Sequence, residues 1–258
     1  MLNQQWISCQ GKNICAITDN VIEGKATSTG VIFLHGFSQT KAGAYGFFSQ
    51  ICEKIEANIP ILRFDYMGFG DSEGETCEVD MHSMISNTEK MTQWFVNKTG
   101  CRKVIYIGHG IGNYIATIMV EKNPYNEAIL IMPQLTALDK EERYKDIISK
   151  IELTKHDIDT GELGIWNEKM DDFFAILGGR MNRSKGITVK TDFLKEIVKF
   201  DIGEYCSYPK NISILNNGSI EVAGILINKL NDFELNDVLL LDMLERERVI
   251  KCICKYVC

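Results

Sequence analysis

Residues 108–112 read GHGIG, and they join an apolar run, KVIYI (103–107), to a stretch with helical periodicity, NYIATIMVEKN (113–123). Strand-like and then helix-like patterning, with glycines between, predicts a sharp strand-to-helix turn. Gly108 and Gly112 flank that turn, where side chains would collide. At its centre stands Gly110, which offers no side chain at all. A helix beginning near Ile111 aims its first N–H groups, and the positive end of its dipole, at whatever sits above Gly110.

The same alternation recurs on both sides of the turn. Upstream, strands are expected near 3–9 and 12–18, joined at Gly11-Lys12-Asn13, then GVIFL (30–34) and a helix over 44–57. The strand IPILRF (59–64) and a helix over 80–97 follow. Downstream come EAILIM (127–132) and, much later, NISIL (211–215), a helix near 221–230, DVLLL (237–241) and a last helix from about 243. Short apolar runs separated by helices of roughly 10–15 residues imply βαβ units, hence an α/β fold with a mostly parallel central sheet buried on both faces.

The alternation lapses between Pro133 and about residue 209. That stretch is richer in charge and carries helix-like segments, KEERYKDIISKIEL (140–153) and KTDFLKEIVKF (190–200), with one strand-like interruption. Residues 1–133 and 210–258 are therefore expected to form the core, and 134–209 a helical cap inserted over one end of the sheet. Trp166, Met170, Phe173 and Phe174 are the apolar candidates for its inner face.

Composition narrows the function classes. With 258 residues, 45% of them hydrophobic and 24% charged, the chain has the size of one α/β domain with an insertion. A net charge of -7 without a basic stretch argues against a nucleic-acid partner. No run approaches the ~18 apolar residues of a spanning helix, so no membrane partner is expected. The opening MLNQQWISCQGKN lacks a leader pattern, and the nine cysteines are scattered without a C-x-x-C pair. They read as reduced thiols of a cytoplasmic protein. No cofactor and no metal are expected, since Cys252, Cys254 and Cys258 would need further ligands at suitable spacing to hold zinc.

Three motifs in order resemble the α/β-hydrolase superfamily. LHGF (34–37) stands where that family has its oxyanion loop, RFDYMGFGDSEG (63–74) matches its R-x-D-x-x-G-x-G-x-S segment, and IGHGIGNY (107–114) falls at the nucleophile elbow. Within the superfamily, FLHGFSQTKAG (33–43) together with RFDYMGFGDSEGE (63–75) is most similar to the serine aminopeptidase-like hydrolases. Exosortase-associated hydrolases and small-ester esterases are near neighbours. The resemblance implies the α/β-hydrolase fold, and it implies that His35 and Asp65 hold loops together.

It also implies a Ser-His-Asp triad, and here the sequence departs from the pattern. Gly110 stands at the serine position. The base normally follows the last strand, here DVLLLDMLERERV (237–249), yet the only histidines are His35, His82, His109 and His156. Aligning on ILNNGSIEV (214–222) puts Ile220 at the acid position, with Glu221 beside it. The expectation is a pseudo-hydrolase that keeps its oxyanion pair, the backbone N–H groups of Phe37 and Ile111, and binds a small acyl or carboxylate-bearing molecule there. Gly110, His35 and His109 are expected to line that site. Three alternatives stand beside it: a lyase or cyclase using His35, His109 or Asp71; a hydrolase with a relocated nucleophile at Cys101 or Cys77; and a scaffold kept for a protein partner or a homodimer.

Overall fold

The computed structural model describes residues 3–22, 24–37, 39–133, 151–152, 181–184, 187–190, 193, 196–197, 209–216, 219–222 and 243–258. In chain order the first strands are β1 (Asn3–Cys9), β2 (Lys12–Asp19), β3 (Thr29–Leu34), β4 (Ile61–Phe64), β5 (Lys103–His109) and β6 (Glu127–Ile131). Then come β7 (Ile151–Glu152), β8 (Met181–Ser184), β9 (Ile187–Lys190), β10 (Ile212–Asn216) and β11 (Ser219–Val222). The helices are α1 (Phe47–Cys52), α2 (Met81–Thr99), α3 (Ile111–Lys122) and α4 (Met243–Val257).

Eight strands form one sheet in the order β1-β2-β4-β3-β5-β6-β10-β11. The five central strands, β4 to β10 in that order, run parallel. The β1–β2 hairpin and β11 pair antiparallel at the two edges. This is the expected α/β architecture. Within β3, Ile32 and Leu34 face α2 and α3, whereas Val31 and Phe33 face α1 and α4, as the two-residue side-chain period requires. Both faces are therefore covered, and this is why the central strands read as unbroken apolar runs.

Local signals set the helix ends. Asp80 caps α2: Ser83 N donates to Asp80 Oδ1 at 2.7 Å and Asp80 N donates to Ser83 Oγ at 3.0 Å. Gly100 closes the same helix in the left-handed conformation, φ 64°. The helix expected over 44–57 is shorter, because Gly43, Tyr45 and Gly46 all carry left-handed φ values (74°, 52° and 74°) and α1 can begin only at Phe47.

Two further expectations are corrected. The segment 140–153 reads as helix-like, but Ile151 and Glu152 form β7, paired with β8 in a small antiparallel sheet of β7, β8 and β9. The helix expected near 221–230 overlaps β11, which folds back on β10 with Leu215 opposite Ile220. The strand expected over 237–241 and the residues Trp166, Met170, Phe173 and Phe174 lie outside the described residues. None of the described helices is long and apolar enough to cross a membrane.

The junction of β5 and α3 is the tightest packing in the core. A Cβ on Gly112 would lie 1.9 Å from Leu34 O, and one on Gly108 would lie 2.5 Å from Gly112 O. No side chain fits at either position, so α3 lies directly against β3 and β5. Asn113, buried at the start of α3, completes the joint. Its Nδ2 donates to Ile131 O and its Oδ1 accepts from Ile131 N, both at 3.1 Å, which ties the helix to the end of β6. Gly112→Ala should cost about 3 kcal/mol, the upper range for overpacking a rigid core. A urea midpoint within error of the wild type would contradict this packing.

Candidate functional site

The elbow forms where three elements meet: the end of β5, the start of α3 and the loop that follows β3. Gly110 caps α3 with φ 57° and ψ −126°, a conformation that L side chains rarely adopt. Asn113 N donates to Gly110 O at 3.0 Å, which closes the first helical turn. A Cβ built on Gly110 would approach Gly36 Cα at 3.2 Å, and among the described residues beyond its chain neighbours it would meet nothing else within 4 Å. The space above Gly110 is thus bordered by the loop after β3.

The residues of that loop have distinct roles. His35 is fully buried and engages the backbone through both ring nitrogens: Nδ1 lies 2.9 Å from Gly36 O, and Tyr66 N donates to Nε2 at 3.4 Å. Its ring also packs on Tyr66, with centroids 4.6 Å apart. Burial, opposed in part by the Gly36 hydrogen bond, lowers its pKa to about 4. In this arrangement His35 is a strut of the loop, with a backbone partner at each ring nitrogen. Phe37 is half-buried, its ring 6.0 Å from that of Phe69 and 5.9 Å from that of Phe193. Phe193 is itself fully buried.

His109, the last residue of β5, is buried and places Nδ1 3.2 Å from Gln39 Oε1. The same oxygen accepts from Gly36 N at 3.1 Å. Gln39 was not singled out in the sequence. It lies within the motif FLHGFSQTKAG (33–43), but only the fold of the loop brings it to the elbow.

Below this layer Asp65 organises the two motif loops. Its fully buried carboxylate accepts from Lys41 N (2.5 Å), Lys41 Nζ (2.6 Å) and Asp71 N (2.9 Å). Lys41 Nζ also donates to Asp71 Oδ2 at 2.5 Å. Burial works against the Lys41 ammonium, but its hydrogen bonds to Asp65 and Asp71 outweigh that and raise its pKa. Cys15, Asp65 and Asp71 are the one group among the described residues spaced closely enough to hold a metal ion. The Lys41 ammonium already pairs with both carboxylates there. His35 thus contacts Gly36 O and Tyr66 N, His109 contacts Gln39, and Asp71 pairs with Lys41.

The remaining candidates lie elsewhere. Cys101 is buried just before β5, about 20 Å of strand away from the elbow, and burial raises its thiol pKa. Cys77 sits in a short turn over Thr76–Glu78. Ile220 and Glu221 lie in β11, opposite Leu215 and Ile214.

The family model for the serine aminopeptidase S33 group matches residues 25–154, half of the chain. The chain belongs to this family of α/β hydrolases. Among curated relatives, a lysophosphatidylserine lipase of Danio rerio is 29% identical over 93 residues, 36% of this chain and 23% of that protein. A 1-acylglycerol-3-phosphate O-acyltransferase of Homo sapiens is 28% identical over 111 residues, 42% of this chain and 30% of that protein. The chain thus spans less than a third of the length of these relatives. An esterase structure, Est1E from Butyrivibrio proteoclasticus with ferulic acid bound, shares the fold with a TM-score of 0.66 and 16% identity over 97% of this chain and 98% of that one.

The buried imidazole gives a pH signature. His35 is neutral in the fold down to about pH 4, whereas the unfolded chain takes up a proton near pH 6.5. Its contribution is therefore complete above 6.5 and is lost as the pH falls toward 4, by about 3 kcal/mol in total. Urea unfolding at pH 7 and pH 4.5 should show the wild type losing more stability between the two than His35→Gln does. Equal losses would contradict a buried neutral imidazole.

Proposed function

We propose that this chain is a non-hydrolytic member of its family that binds a small acyl or carboxylate-bearing molecule at the elbow. The observation that carries the reading is Gly110: a glycine holds the backbone conformation of the elbow, and no hydroxyl stands there to attack an ester. The N–H groups of Ile111, at the tip of a 12-residue helix, and of Phe37, on the adjoining loop, are the donors for the ligand's oxygen. Such donors stabilise an acyl oxygen or a carboxylate whether or not a nucleophile is present.

The chemistry of the chain supports binding without hydrolysis. No histidine follows His156 to act as base, and Ile220 occupies the aligned acid position. In a well-studied protease, loss of the serine or of the histidine alone costs about 10⁶ in turnover. A relocated nucleophile at Cys101 is disfavoured by its distance from the donors and its raised pKa. The names of the two curated relatives, acting on lysophosphatidylserine and on 1-acylglycerol-3-phosphate, favour an acyl-bearing ligand. The packing of Phe193 on Phe37 supports the 134–209 insertion as a cover for the apolar part of such a ligand. All eight described cysteines are free, which suits a cytoplasmic protein.

Two measurements on the purified protein test this. Turnover of p-nitrophenyl octanoate should equal that of buffer for the wild type, and should remain so for Gly110→Ser, which restores a hydroxyl but no base. Calorimetry should show saturable binding of dodecanoate to the wild type. Ester turnover above buffer, or no dodecanoate binding, would overturn the proposal.

A further inference from the structure

Gln39 Oε1 is held by two donors from different elements. Gly36 N, on the loop after β3, donates to it at 3.1 Å, and His109 Nδ1, at the end of β5, lies 3.2 Å away. A backbone N–H can only donate, so the Gly36 contact fixes the carboxamide with its oxygen inward. An oxygen with two donors facing it then requires the proton of His109 to sit on Nδ1. Two N–H groups thus converge on one carbonyl oxygen beside the elbow. The carboxamide lies only 3.0–3.1 Å from the Cβ position of Gly36, and Gly36 Cα is the atom that borders the space above Gly110.

We infer that the carbonyl oxygen of Gln39 is a resident stand-in for one oxygen of a ligand carboxylate, and that Gln39 swings away when a carboxylate binds. This rests on the elbow reading and sharpens it. A carboxylate has two oxygens to place, one on the amides of Phe37 and Ile111 and the other on Gly36 N and His109 Nδ1. A neutral alcohol or ester offers no second oxygen of comparable acceptor strength, so the site selects free carboxylates. Because the ligand must displace Gln39, its apparent affinity is reduced by the fraction of time that Gln39 occupies the donors. Two hydrogen bonds of ordinary strength make that about a tenfold reduction.

Calorimetric titration of dodecanoate, with dodecanol as the control, into the wild type, Gln39→Ala and Gln39→Glu tests the inference. Circular dichroism checks that each variant is folded. Gln39→Ala should bind dodecanoate about tenfold more tightly than the wild type, and Gln39→Glu, with a carboxylate already on the same donors, about tenfold more weakly. Dodecanol binding should not follow that order. If the wild type binds and Gln39→Ala binds equally or more weakly, Gln39 is a loop strut and the inference falls while the elbow reading stands. If none of the three proteins binds dodecanoate, both fall. Should Gln39→Ala fail to fold, unchanged affinity in Gln39→Glu would overturn the inference by itself.

Discussion

The close approach of α3 to the sheet is the constraint on which the rest of the structure depends. Leu34 O would lie 1.9 Å from a Cβ on Gly112, so the helix reaches this depth only because position 112 has no side chain. That depth sets the first turn of α3 directly beyond the end of β5 and brings the loop after β3 alongside it. Gly36 Cα then borders the space above Gly110, and the amides of Phe37 and Ile111 belong to adjoining segments. Asn113 carries the same joint on to β6 through Ile131. A helix held farther from the sheet would separate Gly110 from Gly36 and open the joint.

Beneath the elbow, a charged core fixes the loops that carry it. The carboxylate of Asp65 accepts from both ends of Lys41 and from Asp71 N, which ties the loops after β3 and β4 together. Gly70 lets this carboxylate sit close, since a Cβ there would lie 2.3 Å from Asp65 Oδ2. Removing one member of such a buried pair strands its partner without compensation, at a cost of about 3–5 kcal/mol. His35 braces the same assembly from within, with one nitrogen on each loop. The family motifs supply these supports around Gly110. What they preserve here is the geometry of the strand-to-helix turn.

Much of this was legible in the sequence, for identifiable reasons. The hairpin β1–β2, the strands around GVIFL and KVIYI and the helix from Ile111 to Lys122 all stand where periodicity placed them, because long apolar runs and glycine turns leave few alternatives. The need for Gly108 and Gly112 followed from the sharpness of the turn alone. Helix α1 was misjudged because apolar spacing cannot report that Gly43, Tyr45 and Gly46 take left-handed conformations. The hairpin β10–β11 was missed because SIEV is too short to show a period. At the site, the loop-holding role that the resemblance implies for His35 takes its form from burial and two backbone partners, which no sequence pattern specifies. Gln39 left no trace in the sequence, since its role arises from a contact with His109, 70 positions away.

The most direct measurement is a ¹H–¹⁵N correlation spectrum of the labelled protein titrated with dodecanoate. A carboxylate seated at the elbow predicts saturable shifts of the Phe37 and Ile111 amide resonances, larger than those elsewhere in the sheet. If dodecanoate binds while both amides stay unmoved, for instance with shifts confined to the cleft of about 250 Å³ lined by α2 and α3 beside Thr92, Tyr106 and Asn126, the elbow is not the binding site.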